Sequence, residues 1–132
     1  MTLHRINPDE LSPAIGFSHA VVAEGSKIIF LAGQTAVDTT GNIVGETIVE
    51  QFRLALSNIL IALAAAGGTP AQLTKLTIYS VDPENYRSNS REISVIWKEL
   101  VGREYPAMAL VGVVRLWDLD AQVEIEGIAV IP

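Results

Sequence analysis

Ala107-Met108-Ala109-Leu110-Val111-Gly112-Val113-Val114 is apolar at every position, with no alternation between faces. A run of this length with β-branched residues reads as a strand. A strand that is apolar on both sides must be covered on both sides. Pro106 precedes it and fits a strand's first position, where no ladder hydrogen bond is lost. Downstream, Leu116 to Asp120 reads as a turn, and Gln122 to Val130 as the last strand.

Upstream, Thr47 to Ala66 reads as a long helix. Ile48, Phe52, Leu56, Ile59 and Leu63 recur at helical spacing and predict its core face, with Leu54 and Ile61 as a second stripe. Gly67-Gly68 stops it, and Pro70 opposes a restart. Leu73 to Val81 reads as a strand, and Tyr86 to Leu100 as a second helix with Ile93, Ile96, Trp97 and Leu100 facing inward. Ser18 to Glu24 and Lys27 to Gly33 flank Gly25-Ser26 and predict a hairpin, with Gly25 at positive φ. The expected fold is one α+β domain over residues 1–132: a mixed sheet with two helices on one face. Two helices leave the other face of the Ala107–Val114 strand bare, and a second copy of the chain is the natural cover.

Composition narrows the function classes. The 132 residues are 49% hydrophobic and only 18% charged, which points to buried subunit interfaces. Cysteine is absent, so thiol nucleophiles and cysteine metal sites are excluded. The net charge is −6, and no basic cluster occurs, so nucleic acid is a disfavoured partner. No secretory leader is expected at Met1 to Asn7, and no membrane span, so the expected location is the cytoplasm. His4 and His19 are far apart, in no metal-binding spacing, so no metal site is expected.

Few polar residues remain as chemical candidates. Gly16-Phe17-Ser18-His19-Ala20 has the letters of a nucleophile elbow but lacks the strand before and the helix after, so a serine hydrolase is rejected. Ser18 and His19 are left as pocket-lining or structural residues. Glu124 and Glu126 lie two apart on a strand and project to one face, about 7 Å apart. Such a pair is either a solvated face or the wall of a cleft that positions water. Arg115, at a strand end, is open between an anionic ligand and an ion pair with Glu124, Asp118 or another subunit.

The element order and several local words resemble the RidA (YjgF-type) family. The words are Ala14-Ile15-Gly16, Ala32-Gly33-Gln34, Ala65-Ala66-Gly67, Tyr105-Pro106-Ala107, Arg115-Leu116 and Val123-Glu124-Ile125-Glu126-Gly127-Ile128-Ala129-Val130, and the likeness spans nearly the whole chain. The resemblance implies a chorismate-mutase-like fold and a homotrimer with sheets facing inward and small-molecule clefts at the interfaces. It also implies enamine/imine deaminase activity without a cofactor, converting 2-imino acids to 2-keto acids and ammonia. Glu124 matches the glutamate that holds the attacking water, and Gly33 a backbone pocket position. Backbone near Ala109 is expected to hold ligand as well. Met108, however, stands where active members carry a carboxylate-binding arginine. Losing such a charge-assisted pair costs about 2 to 4 kcal/mol, or about 30- to 1000-fold in rate. Weak or absent activity on simple 2-imino acids is therefore expected, unless Arg115 or His19 supplies the cation. A non-enzymatic metabolite sensor is the alternative, and RNA cleavage or translation inhibition a distant third.

Overall fold

The computed structural model describes residues 2–132. Six strands and three α-helices follow one another: β1 (Thr2–Ile6), β2 (Ala20–Glu24), β3 (Lys27–Gln34), α1 (Ile48–Ala65), β4 (Leu73–Ser80), α2 (Pro83–Ser88), α3 (Ser90–Leu100), β5 (Ala107–Gly112) and β6 (Val123–Ile131). The main sheet has the order β3-β6-β4-β5. β6 is antiparallel to both neighbours, while β4 and β5 are parallel and joined by the α2–α3 crossover. The sheet is therefore mixed, as expected.

α1 starts where Thr47 caps it, accepting from the Glu50 backbone N–H. It ends at Gly67, whose φ of 93° lets Gly68 N–H reach back to the Leu63 carbonyl. Its predicted face, Ile48, Phe52, Leu56, Ile59 and Leu63, is fully buried. That face meets Leu73, Leu76 and Ile78 of β4 and Val123, Ile125 and Ala129 of β6 to form the core. Each such large side chain contributes about 1.5–3 kcal/mol of burial. Ile61, from the expected second stripe, is mostly exposed.

Three expectations need correction. β2 and β3 form no hairpin. β2 pairs with β1, a strand not foreseen, and β3 pairs with β6. The β1–β2 ribbon crosses one end of the main sheet: Ser18 N–H bonds the Pro106 carbonyl and Ser26 N–H the Ile131 carbonyl. Gly25 is not at positive φ. Glycine is needed there because a Cβ would lie 2.5 Å from the Ile131 carbonyl oxygen. Finally, the second helix is two helices. The chain breaks at Asn89, whose amide donates to the Asn85 carbonyl in competition with the helical ladder.

Candidate functional site

β6 sorts its side chains strictly. Val123, Ile125, Ala129 and Ile131 enter the core, while Glu124, Glu126, Ile128 and Val130 stand half-buried on the opposite, helix-free face. Tyr79 lies directly across from Glu124 on β4, and Val111 directly across from Tyr79 on β5. Tyr79 donates its hydroxyl to Glu126 Oε1 at 2.6 Å, not to Glu124. On the other side, β3 carries an irregularity between Leu31 and Gln34. It brings Gly33 so close to Glu124 that a Cβ there would lie 2.9 Å from the carboxyl carbon and from Oε2.

Two acidic groups and a phenol thus cluster on the open face, with Lys75 farther along β4 across from Ile128. Burial raises the proton affinity of Glu124, and the charges of Glu126 and Asp118 add to it. The hydrogen bond to Glu126 raises that of Tyr79, which keeps its proton and remains a donor. Such an arrangement supplies one carboxylate already satisfied by a donor, and a second with a raised proton affinity. The second can hold a water and take its proton.

Of the residues singled out from sequence, Glu124, Gly33 and Ala109 share this open face; Ala109 is across from Thr77, which is across from Glu126. Met108 is across from Leu76, a core residue, and so points to the helix side. There it packs against the core and lines a cavity under α2 and α3. Within one chain, Met108 and Glu124 are on opposite faces of the sheet. Ser18 is buried, its hydroxyl donating to the Tyr105 carbonyl at 2.7 Å. The His19 ring bonds the Ser12 carbonyl at 2.7 Å and meets Phe17 edge-on. Both fasten the ribbon. Arg115 pairs with neither Glu124 nor Asp118; its guanidinium donates to the Leu116 and Trp117 carbonyls at 3.2 and 3.4 Å. Among the described residues no three His, Asp or Glu side chains converge as a metal site would require.

Sequence reasoning missed Tyr79. Its signal was faint: Lys75, Thr77 and Tyr79 alternate with the core residues Leu76 and Ile78 along β4. It also passed over Arg91 and Lys98, which line the Met108 cavity from α3.

Apart from these groups, Lys75 and Thr77, the face left open by the helices is apolar. Phe30 is 75% and Ile28 60% exposed on β3, and Trp117 is 88% exposed in the loop before β6. On β5, Val111, across from Tyr79, is exposed on this face as well.

Comparison with known proteins agrees with this architecture. The family described as Endoribonuclease L-PSP matches residues 7–131. Protein mmf2, mitochondrial, of Schizosaccharomyces pombe is 33% identical over 94% of each chain. A 2-iminobutanoate/2-iminopropanoate deaminase of Capra hircus is 32% identical, covering 89% of this chain and 82% of that protein. Among solved structures, the Rid-family protein YyfB of Yersinia pestis, a protein of unknown function, superposes with a TM-score of 0.87 at 31% identity, over 99% of this chain and 100% of the other. With matched fold, matched length and a family match over nearly every residue, the chain belongs to the Rid (RidA/YjgF-type) family, the one also described as Endoribonuclease L-PSP.

Proposed function

We infer that the protein hydrolyses a C=N bond in a cleft formed between copies of the chain, as a cofactor-independent imine or enamine deaminase. The observation that carries this reading is Glu124: half-buried, raised in proton affinity, and held against the Gly33 backbone. The named activity of the Capra hircus relative supports the reaction class. Glu124 takes a proton from water as the oxygen adds to the imine carbon. That proton passes to nitrogen, giving a carbinolamine; Glu124 then takes the new hydroxyl's proton and delivers it to the amine, so the C–N bond breaks as the C=O forms and ammonia leaves. Tyr79 keeps Glu126 in place beside it.

A cleft between subunits follows from the opposite orientations of Glu124 and Met108. If both line one site, they must come from two copies. The exposed apolar residues of the open face support a homotrimer with the sheets turned inward. A cytosolic setting is part of the proposal; the cysteine-free sequence supports it, although the fission-yeast relative is mitochondrial by name.

Met108 sets the expected level of activity. A thioether makes no charge-assisted pair with a carboxylate, so simple 2-imino acids are poor substrates. The same residue favours a second reading, a non-enzymatic metabolite binder whose ligand is held by apolar contact. RNA cleavage finds no support in a chain of net charge −6 whose open face presents carboxylates.

The test is a coupled assay in which a pyridoxal-phosphate dehydratase generates 2-iminobutanoate in place. Wild type is expected to accelerate its loss weakly, Met108→Arg about tenfold or more above wild type, and Glu124→Gln not at all. Full activity in Glu124→Gln would remove the assigned base. Inert wild type and Met108→Arg, on this and larger imines, would leave the binding reading.

A further inference from the structure

The Met108 cavity has about 750 Å³, within the range of small-molecule sites, and it lies between α2, α3 and the start of β5. Its floor is aromatic. Trp97 stacks on Tyr105 with 5.1 Å between ring centroids and 9° between planes. Tyr86 meets Phe52 edge-on at 6.0 Å, and Met108 adds a polarisable thioether.

The wall made by α3 has a different character. Arg91, Ser94 and Lys98 are spaced i, i+3 and i+7, so they form one stripe along the helix, and all three line the cavity. Among the described residues, neither Arg91 nor Lys98 has an acidic side chain within 4 Å; the ion pairs are made by Arg5, Arg53 and Arg87. Both residues are exposed, and they put two positive charges on this wall of a chain whose net charge is −6.

We propose that this cavity binds a monocarboxylate with a bulky aromatic or branched apolar side chain, the carboxylate on Arg91 and Lys98 and the side chain on the Trp97–Tyr105–Met108 floor. The proposal deepens the reading above and rests on it for the reaction, because Met108 is common to both. It assigns the missing cation to Arg91. Arg115 is turned to its own neighbouring carbonyls and His19 to Ser12, so neither competes for the role. The guanidinium fork suits a carboxylate better than a lone ammonium does. A short 2-imino acid engaging the cations would leave the aromatic floor unfilled.

Calorimetry on the full chain tests this, with phenylpyruvate and pyruvate as probes. These are stable 2-keto acids sharing one head group and differing in apolar bulk. Wild type is expected to bind phenylpyruvate at least about tenfold tighter than pyruvate. Arg91→Gln is expected to weaken phenylpyruvate about tenfold or more, with partial recovery in Arg91→Lys. Arg87→Gln, whose exposed side chain pairs with Glu84, serves as the neutral control. Unchanged binding in an Arg91→Gln, Lys98→Gln double variant would overturn the proposal. So would equal affinity for the two probes, or no binding of phenylpyruvate at millimolar concentration. The two readings fail separately. Arg91-dependent binding without turnover of any imine sinks the hydrolase alone. Hydrolysis of small imines unaffected by Arg91→Gln sinks this proposal alone.

Discussion

The backbone of Gly33 lies against the carboxylate of Glu124, closely enough that a Cβ at Gly33 would sit 2.9 Å from Oε2. Gly33 is not in the left-handed region, so alanine is tolerated by the backbone itself. What must give is the carboxylate. Gly33→Ala is expected to keep the fold and melting temperature nearly unchanged while lowering kcat about tenfold or more, because a displacement of about 1 Å spoils the alignment of a bound water. Melting and kinetics measured on the same preparation check this. Unchanged kcat would show that the Glu124 position is not critical.

Glu124 also gives a pH prediction with a definite sign. Its proton affinity is raised in the folded chain, chiefly by burial and then by Glu126 and Asp118. The folded state therefore binds this proton more tightly than the unfolded state does. The resulting stability is fully present below about pH 4 and is lost as pH rises through the raised value. Glu124→Gln, which never ionises, is expected to match wild type at low pH and to exceed it in melting temperature toward pH 8. A melting series across that range reads the crossover; a wild type that gains on the variant as pH rises would contradict the assigned shift.

The same group sets the acid limb of the rate profile, since only the ionised carboxylate accepts a proton. Glu126→Gln removes one of the neighbouring charges, so the limb is expected to move to lower pH. The move is partial, because burial is the larger cause. An unmoved limb would mean that Glu126 does not act on Glu124.

Gln51 ties the first turn of α1 to the segment that enters β6. It is 1% exposed; its amide donates to the Gly45 and Asp120 carbonyls, and its oxygen accepts from the Gln122 N–H at 2.8 Å. Gln51→Leu leaves three backbone groups unpaired and is expected to cost about 3 kcal/mol in denaturant unfolding. A loss below about 0.5 kcal/mol would mean that water replaces all three bonds.

The elements read correctly from sequence are those with a local period. α1 was legible because its apolar residues repeat at helical spacing and Gly67 ends it. β6 was legible because it alternates, and the alternation placed Glu124 and Glu126 on one face. The β1–β2 ribbon was not legible. Its place is decided by Ser18 meeting Pro106 and Ser26 meeting Ile131, contacts more than eighty residues apart. The break at Asn89 was not legible because the apolar stripe begins only at Ile93, and the Asn89 amide that marks the break bonds Asn85 locally. At the site, the orientation of Met108 follows only from its pairing with Leu76, a parallel register the sequence does not display. Arg91 carries no signal of its own in the sequence; only the fold makes it line the same cavity as Met108.

On the proposed function, Glu124 and the Met108–Arg91 cavity, on opposite faces of each sheet, form one site only across two copies of the chain. Mixing the inactive Glu124→Gln protein with the weakened Arg91→Gln protein at substrate well below saturation, after dissociation and reassembly, tests it directly. With equal mixing in a cyclic oligomer, about a quarter of the interfaces pair an intact Glu124 with an intact Arg91. Recovery of about that fraction of wild-type turnover of a bulky 2-imino acid is the predicted result. Mixed oligomers that form but show no more turnover than the average of their parents would contradict it.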